Sequence, residues 1–159
     1  MPPPLLFPLD SVDLTRVVMT REEIYALLPH RHEFMLLDGI LHLDIPGMTM
    51  VGYHDAREDE WWVKGHVPGR PLMPGVLMIE TAAQMASVYY SLALDQRAFM
   101  AFGGVDQVKF REAVTPPCRL IILGKALEVR PRRTVSAFQG VVDGRLVIEG
   151  RITGLPIRD

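Results

Sequence analysis

The sequence predicts an α+β domain in which a long antiparallel sheet curls around one central helix. Two observations carry that prediction. The run from Pro74 to about Leu94 is apolar almost all the way round, through Val76, Leu77, Met78, Ile79, Ala82, Ala83, Met85, Val88 and Leu92. A helix of that kind has to be enclosed rather than lie on a surface. After it the chain turns rich in Val, Ile, Leu and Phe over 105–110, 119–130, 134–142 and 146–153, with Asp143-Gly144 as a two-residue hairpin signal between the last two runs. Strands in series after a helix that needs cover make a single α+β layer pair. The 159 residues fit one domain, and 48% hydrophobic with 23% charged residues excludes a disordered chain.

The elements follow in order. Proline at positions 2, 3, 4 and 8 predicts an extended arm over 1–19, leaving one domain over 20–159. The arm has no basic start and no sustained apolar run, so it is not expected to be a signal peptide. Thr20 to Leu28 reads as a short helix, with Thr20 as N-cap, Glu23 three residues on and Pro29 as the stop. From Phe34 to His54, apolar runs broken at Asp44 and Pro46-Gly47 predict a pair of strands, and Glu60 to Lys64 a further short strand. Pro74 suits the first turn of the long helix, because its missing N–H is not needed there. Glu80, Gln84, Ser87 and Ser91 form one polar stripe down that helix.

Several functional classes drop out. Lys plus Arg number 17 and Asp plus Glu 19, a formal charge of −2, which gives nucleic-acid binding no electrostatic support. The single cysteine, Cys118, excludes an internal disulfide framework and a multi-cysteine zinc site. His30-Arg31-His32 has no carboxylate or cysteine cluster to complete a metal site, so no metal is expected. No phosphate-binding glycine loop, dinucleotide motif or nucleophile elbow is present. No apolar run is long enough to span a membrane, and the expected location is the cytoplasm.

The chemistry concentrates between Gly65 and Val76, where three Pro and three Gly in twelve residues fix an irregular turn ahead of the buried helix. His66 sits in that turn with a reference pKa near 6.5, suited to taking a proton at neutral pH. The helix start at Gly75 offers backbone N–H groups and the positive end of the dipole, and glycine lets a ligand carbonyl come close. Glu80, the only charged residue between Leu72 and Leu94, is placed to act as an acid. A base, an acid and a carbonyl-polarising N–H are the parts that move a proton beside a carbonyl and expel a leaving group. The same residues also fit a structural hydrogen bonder at His66 and a structural carboxylate at Glu80 held by Gln84 or a distant arginine. Local chemistry therefore nominates a site without naming its substrate.

The run Gly65-His-Val-Pro-Gly-Arg-Pro-Leu-Met-Pro-Gly-Val-Leu-Met-Ile-Glu-Thr-Ala-Ala-Gln84 resembles the active-site signature of the 3-hydroxyacyl–acyl carrier protein dehydratases, enzymes of bacterial fatty acid synthesis with the hotdog fold. Leu28-Pro-His-Arg-His-Glu-Phe34, Gly104-Val-Asp-Gln-Val-Lys-Phe-Arg111 and the hairpin Val141 to Glu149 resemble further family segments in the same order. The resemblance implies dehydration of (3R)-3-hydroxyacyl thioesters to trans-2-enoyl thioesters. His66 would remove the C2 proton, Glu80 would protonate the departing hydroxyl, Gly75 N–H would polarise the thioester carbonyl, and Gln84 would stand behind the acid. It also implies a homodimer whose sites combine the histidine of one subunit with the acid of the other, and in some members a trimer of dimers. No cofactor is implied beyond the phosphopantetheine of acyl carrier protein, which carries the substrate.

Where the family has Phe, Tyr-Pro and Arg, this chain has Val67, His32-Glu33 and Gly39, and its stretch from Val51 to Trp61 lacks the family's Asn-Glu-x-Phe-Phe run. None of these departures removes a group assigned to the chemistry. Arg130, Arg132 and Arg133 form a basic turn that could meet the acidic surface of acyl carrier protein. The alternatives on the same fold are a thioesterase, with Glu80 activating water, and a non-catalytic acyl-chain or acyl-carrier binder.

Overall fold

The computed structural model describes residues 1–157. Strand β1 (Met19–Thr20) leads directly into helix α1 (Arg21–Leu27), followed by β2 (Gly39–Asp44), β3 (Thr49–Ala56), helix α2 (Gly75–Ala93), β4 (Phe99–Phe110), β5 (Cys118–Arg130), β6 (Arg133–Val142) and β7 (Arg145–Ile157). The seven strands form one antiparallel sheet in the order β1-β2-β3-β5-β6-β7-β4. This is the expected hotdog arrangement, with the sheet wrapped around α2.

Local chemistry sets the boundaries. Thr20 and Glu23 form a capping box: the Thr20 hydroxyl accepts from Glu23 N–H at 3.3 Å, and the Glu23 carboxylate accepts from Thr20 N–H at 2.7 Å. Asp143 and Gly144 both have positive φ, at 49° and 76°, which the tight β6–β7 turn demands. Strand β4 begins at Phe99, earlier than the sequence suggests, because β7 continues to Ile157 and gives those residues a partner.

The core lies between α2 and the concave face of the sheet. Met85, Val88 and Tyr89 of α2 are fully covered, as are Ile122, Phe138 and Ile148 of the sheet. The sheet approaches so closely at Gly124 that a Cβ there would stand 2.7 Å from Met50 Cγ and 2.9 Å from Met85 Cε. Val76 and Leu92, towards the ends of α2, are exposed, and Ile79, Glu80, Ala83 and Ser87 between them are half-buried.

The strand expected over Glu60–Lys64 is not formed. The segment folds into turns, with Val63 N–H donating to Glu60 O and His66 N–H to Trp62 O. Two side chains explain the departure: Trp62 enters the core and the Glu60 carboxylate turns inward to His54. These local turn bonds use backbone groups that a sheet ladder would have needed.

The N-terminal residues cross the opposite face of the sheet. Leu5, Leu6, Phe7 and Leu9 cover Leu123, Val141 and Leu146. Gln139 fastens them, its Oε1 accepting from Leu6 N–H at 2.7 Å and its Nε2 donating to Pro4 O at 3.1 Å. Deleting residues 1–12 removes this cover from the convex face. The deletion is expected to lower the unfolding free energy by about 2–4 kcal/mol, at roughly 0.5–1 kcal/mol for each part-buried side chain. Far-ultraviolet circular dichroism should stay unchanged while the urea midpoint falls. An unmoved midpoint would show that the arm does not hold the sheet.

Candidate active site

His66 occupies the turn ahead of α2 and is exposed. Its Nδ1 lies 2.8 Å from Leu72 O. A carbonyl only accepts, so Nδ1 carries the hydrogen and the neutral ring has its free lone pair on Nε2. The ring borders an apolar groove of about 500 Å³ with Met73, Gly75, Val76, Phe110 and Val114.

Gly75 starts α2, with Pro74 before it and no side chain capping the helix. Among the described residues the Gly75 and Val76 N–H groups open on the groove without an acceptor, at the positive end of a 19-residue helix, while Leu77 N–H donates to Pro74 O at 3.0 Å. A Cβ on Gly75 would run into the Phe110 ring, so only glycine leaves this N–H open beside His66.

Glu80 is five residues further, about 140° around the helix and about 7.5 Å along it. It borders a different cavity of about 170 Å³, together with His30, Gln84, Ser87, Tyr90, Phe99 and Ser136. The polar stripe of α2 thus lines this cavity through Glu80, Gln84 and Ser87. Glu80 Oε1 accepts from Gln84 Nε2 at 3.0 Å and lies 3.4 Å from His30 Nε2. Gln84 is buried; its Nε2 also donates to Phe34 O at 2.8 Å, and its Oε1 accepts from the Tyr25 hydroxyl at 2.6 Å. One chain brings His66 to Gly75 and Glu80 to Gln84, but keeps the two pairs in separate cavities.

The arginines lie at the β5–β6 turn. Arg133 pairs with Glu128 at 2.8 Å and Arg130 with the same carboxylate at 3.5 Å, while Arg132 makes no ion pair among the described residues. The next residue, Thr134, lines the Glu80 cavity, so the turn stands at its rim.

Three further side chains matter that the sequence did not single out for this purpose. Tyr25 and His30 touch the Glu80 network, and His54 forms a second buried cluster. His54 is 3% exposed; its Nδ1 lies 2.6 Å from Leu36 O and 3.2 Å from Asp38 Oδ2, and its Nε2 lies 3.0 Å from Glu60 Oε1, off the line of a hydrogen bond. Burial alone would push this imidazole down, but the hydrogen bond and charge of Asp38, the charge of Glu60 and the Leu36 carbonyl outweigh it and hold its pKa above the usual histidine value. Tyr25 had a legible signal, a phenol on the buried face of α1. His54 had none, because Asp38 comes from a separate segment before β2 and Glu60 reaches back across a turn, at a spacing that belongs to no regular element.

Residues 28–151 match the family model described as a FabA-like domain. Over 141 residues the chain is 41% identical to the 3-hydroxyacyl-[acyl-carrier-protein] dehydratase FabZ of Roseiflexus sp. (strain RS-1), covering 85% of this chain and 94% of that one. The enzyme of the same name from Enterococcus faecalis is 38% identical over 136 residues, covering 85% and 96%. Among solved structures, the dehydratase heterocomplex ApeI:P from Xenorhabdus doucetiae superposes with a TM-score of 0.74 at 17% identity, covering 91% of this chain and 94% of that one. A mutant thioesterase from Pseudomonas aeruginosa superposes at 0.66 with 15% identity, covering 89% and 98%. The structural matches establish the fold, which dehydratases and thioesterases share.

The His54 cluster has a pH signature. A pKa raised on folding favours the folded state while the imidazole is protonated. That stabilisation is complete below the unfolded value near 6.5 and is lost as pH rises through the folded value. His54→Gln should therefore lower the melting temperature most at about pH 6, with the gap to wild type narrowing as pH rises through the raised folded value. A gap that widened with pH would mean that His54 is held neutral.

Proposed function

The chain belongs to the FabA-like family, and from that premise we propose how its residues divide the work of dehydration. The protein is a 3-hydroxyacyl–acyl carrier protein dehydratase acting in fatty acid biosynthesis. His66 Nε2 removes a proton from C2 of the (3R)-3-hydroxyacyl thioester. The negative charge that develops on the thioester oxygen is met by the Gly75 N–H and the α2 dipole. Glu80 gives its proton to the C3 hydroxyl, the C3–O bond breaks, and water and the trans-2-enoyl thioester leave. Proton return from His66 to Glu80 through solvent resets the site. Both transfers use side chains, so the step needs no cofactor; the phosphopantetheine of acyl carrier protein delivers the substrate.

The observation that carries this reading is the groove itself: a histidine with Nδ1 tied to Leu72 O stands beside an uncapped helix start that only glycine keeps open. Glu80 joins it from a second copy of the chain. Strand β4 is a sheet edge with Phe99, Phe102, Val105 and Phe110 exposed, a surface that proteins cover by pairing. Its Phe99 end borders the Glu80 cavity and its Phe110 end borders the His66 groove. Antiparallel pairing of two β4 edges about a twofold axis therefore sets each groove against the partner's cavity. The cavity-rim turn of Arg130, Arg132 and Arg133, with Arg132 in no ion pair among the described residues, suits the acidic face of acyl carrier protein. No helix among the described residues is long and apolar enough to cross a membrane, and we place the enzyme in the cytoplasm with its carrier.

His66→Ala and Glu80→Gln should each slow hydration of a crotonyl thioester by about 10²–10⁴-fold. Co-expressing the two variants in equal amounts should restore about a quarter of the wild-type sites, since half of randomly mixed dimers hold one intact site each. Full activity of either variant alone would remove that residue from the reaction. Silence of the mixture would place the acid and base in one subunit.

A further inference from the structure

We propose that Tyr25 is a positioning residue that determines which oxygen of Glu80 carries the transferable proton. The role rests on Glu80 being the acid.

The assignment follows from counting donors and acceptors. Leu37 N–H donates to the Tyr25 hydroxyl oxygen at 2.8 Å. A backbone N–H cannot accept, so the one phenolic hydrogen points elsewhere, and Gln84 Oε1 at 2.6 Å receives it. Burial pushes the Tyr25 phenol far above its ordinary pKa, so that hydrogen stays in place. With its oxygen occupied, Gln84 turns its amide nitrogen to Phe34 O at 2.8 Å and to Glu80 Oε1 at 3.0 Å. His30 Nε2 approaches the same Glu80 oxygen at 3.4 Å.

Gln84 Nε2 therefore donates to Oε1, and His30 Nε2 stands beside the same oxygen. The carbonyl oxygen of a carboxylic acid is its better acceptor, so a donor at Oε1 favours the hydrogen on Oε2, the oxygen that gives the proton to the leaving hydroxyl. Were the amide reversed, its carbonyl would face Oε1 and draw the acidic hydrogen there, away from substrate. Tyr25 and Gln84 are 4% and 1% exposed, so bulk water does not reach in to replace the phenol as donor. Phe34 O fixes the nitrogen end of the amide and Tyr25 fixes the oxygen end. The phenol touches no part of the groove or cavity where substrate is held.

Steady-state dehydration by Tyr25→Phe in the full-length protein is the test. The expected result is a kcat lower by roughly 2- to 10-fold, the worth of one buried hydrogen bond, with KM within about twofold of wild type. In a Gln84→Leu background, adding Tyr25→Phe should change kcat no further, because the phenol acts only through that amide. At position 25, 4-aminophenylalanine keeps the donor and should recover most of the lost turnover. Where Tyr25→Phe does not fold, 4-fluorophenylalanine fills the space without donating and should show the same kcat loss. A lowered melting temperature with unchanged kcat would overturn the role and leave Tyr25 structural, as would equal losses in both backgrounds. Glu80→Gln separates the premise: full turnover in that variant removes the acid itself, whereas an inactive Glu80→Gln beside an unaffected Tyr25→Phe removes only the positioning role.

Discussion

Enclosing α2 is the constraint on which the rest depends. A 19-residue helix that is apolar nearly all round can be buried only by a sheet curved about it, yet this one carries a carboxylate into the enclosed layer at Glu80. An unpartnered carboxylate there would cost several kcal/mol. The fold meets the cost by burying Gln84 one turn on and bringing His30 alongside. The same burial frees the start of the helix. Because α2 begins at the rim of the sheet with no side-chain cap, its first N–H groups face a groove while its middle faces a cavity. One helix thus places both Gly75, beside His66, and Glu80, and its rotation directs them to separate cavities.

The segment from Leu28 to Asp38 supplies the second theme. It has little regular structure, and its polar groups are directed inward to two buried networks. Phe34 O holds the Gln84 amide, Leu37 N–H holds the Tyr25 phenol, and Leu36 O with the Asp38 carboxylate holds His54. His54 in turn meets Glu60, which opens the turn leading to His66. The five residues 34–38 thus reach both the Gln84 amide beside Glu80 and, through His54, the turn that leads to His66. Irregular backbone is stable in such a place only when its N–H and C=O groups find partners, and here those partners belong to the functional side chains. Packing and chemistry share the same bonds.

Legibility in the sequence divided along physical lines. The helix cap at Thr20, the β2–β3 turn, the buried α2 and the Asp143-Gly144 hairpin all rest on short-range signals: spacing, turn residues and periodicity. Each is present in the structure. The one element misjudged, Glu60–Lys64, shows the boundary of that method. Its composition suits a strand, but Glu60 is drawn to His54 from β3 and Trp62 to the core, and neither partner can be read from spacing. The site shows the same division. His66, Gly75, Glu80 and Gln84 lie within twenty residues in a motif, whereas Tyr25 meets Gln84 across 59 positions. Long-range pairs become visible only once the sheet has placed them.

The separation of His66 from Glu80 carries a last consequence for the enzyme as a whole. If one chain held acid and base in one cavity, the edge of β4 would need protection by charge or by a covering loop. Instead it exposes Phe99, Phe102, Val105 and Phe110, and the residues at its two ends belong to the two half-sites. Under the proposed division of roles, covering the edge and completing the site make the same geometric demand, an antiparallel partner with its own β4. Catalysis and assembly are then one selection rather than two. On the proposed reading, a change that weakens edge pairing also parts His66 from the partner's Glu80, and an isolated subunit would hold both groups without a working site. The near-neutral charge of −2 fits that arrangement, since two copies meeting edge to edge would gain nothing from a strongly charged face.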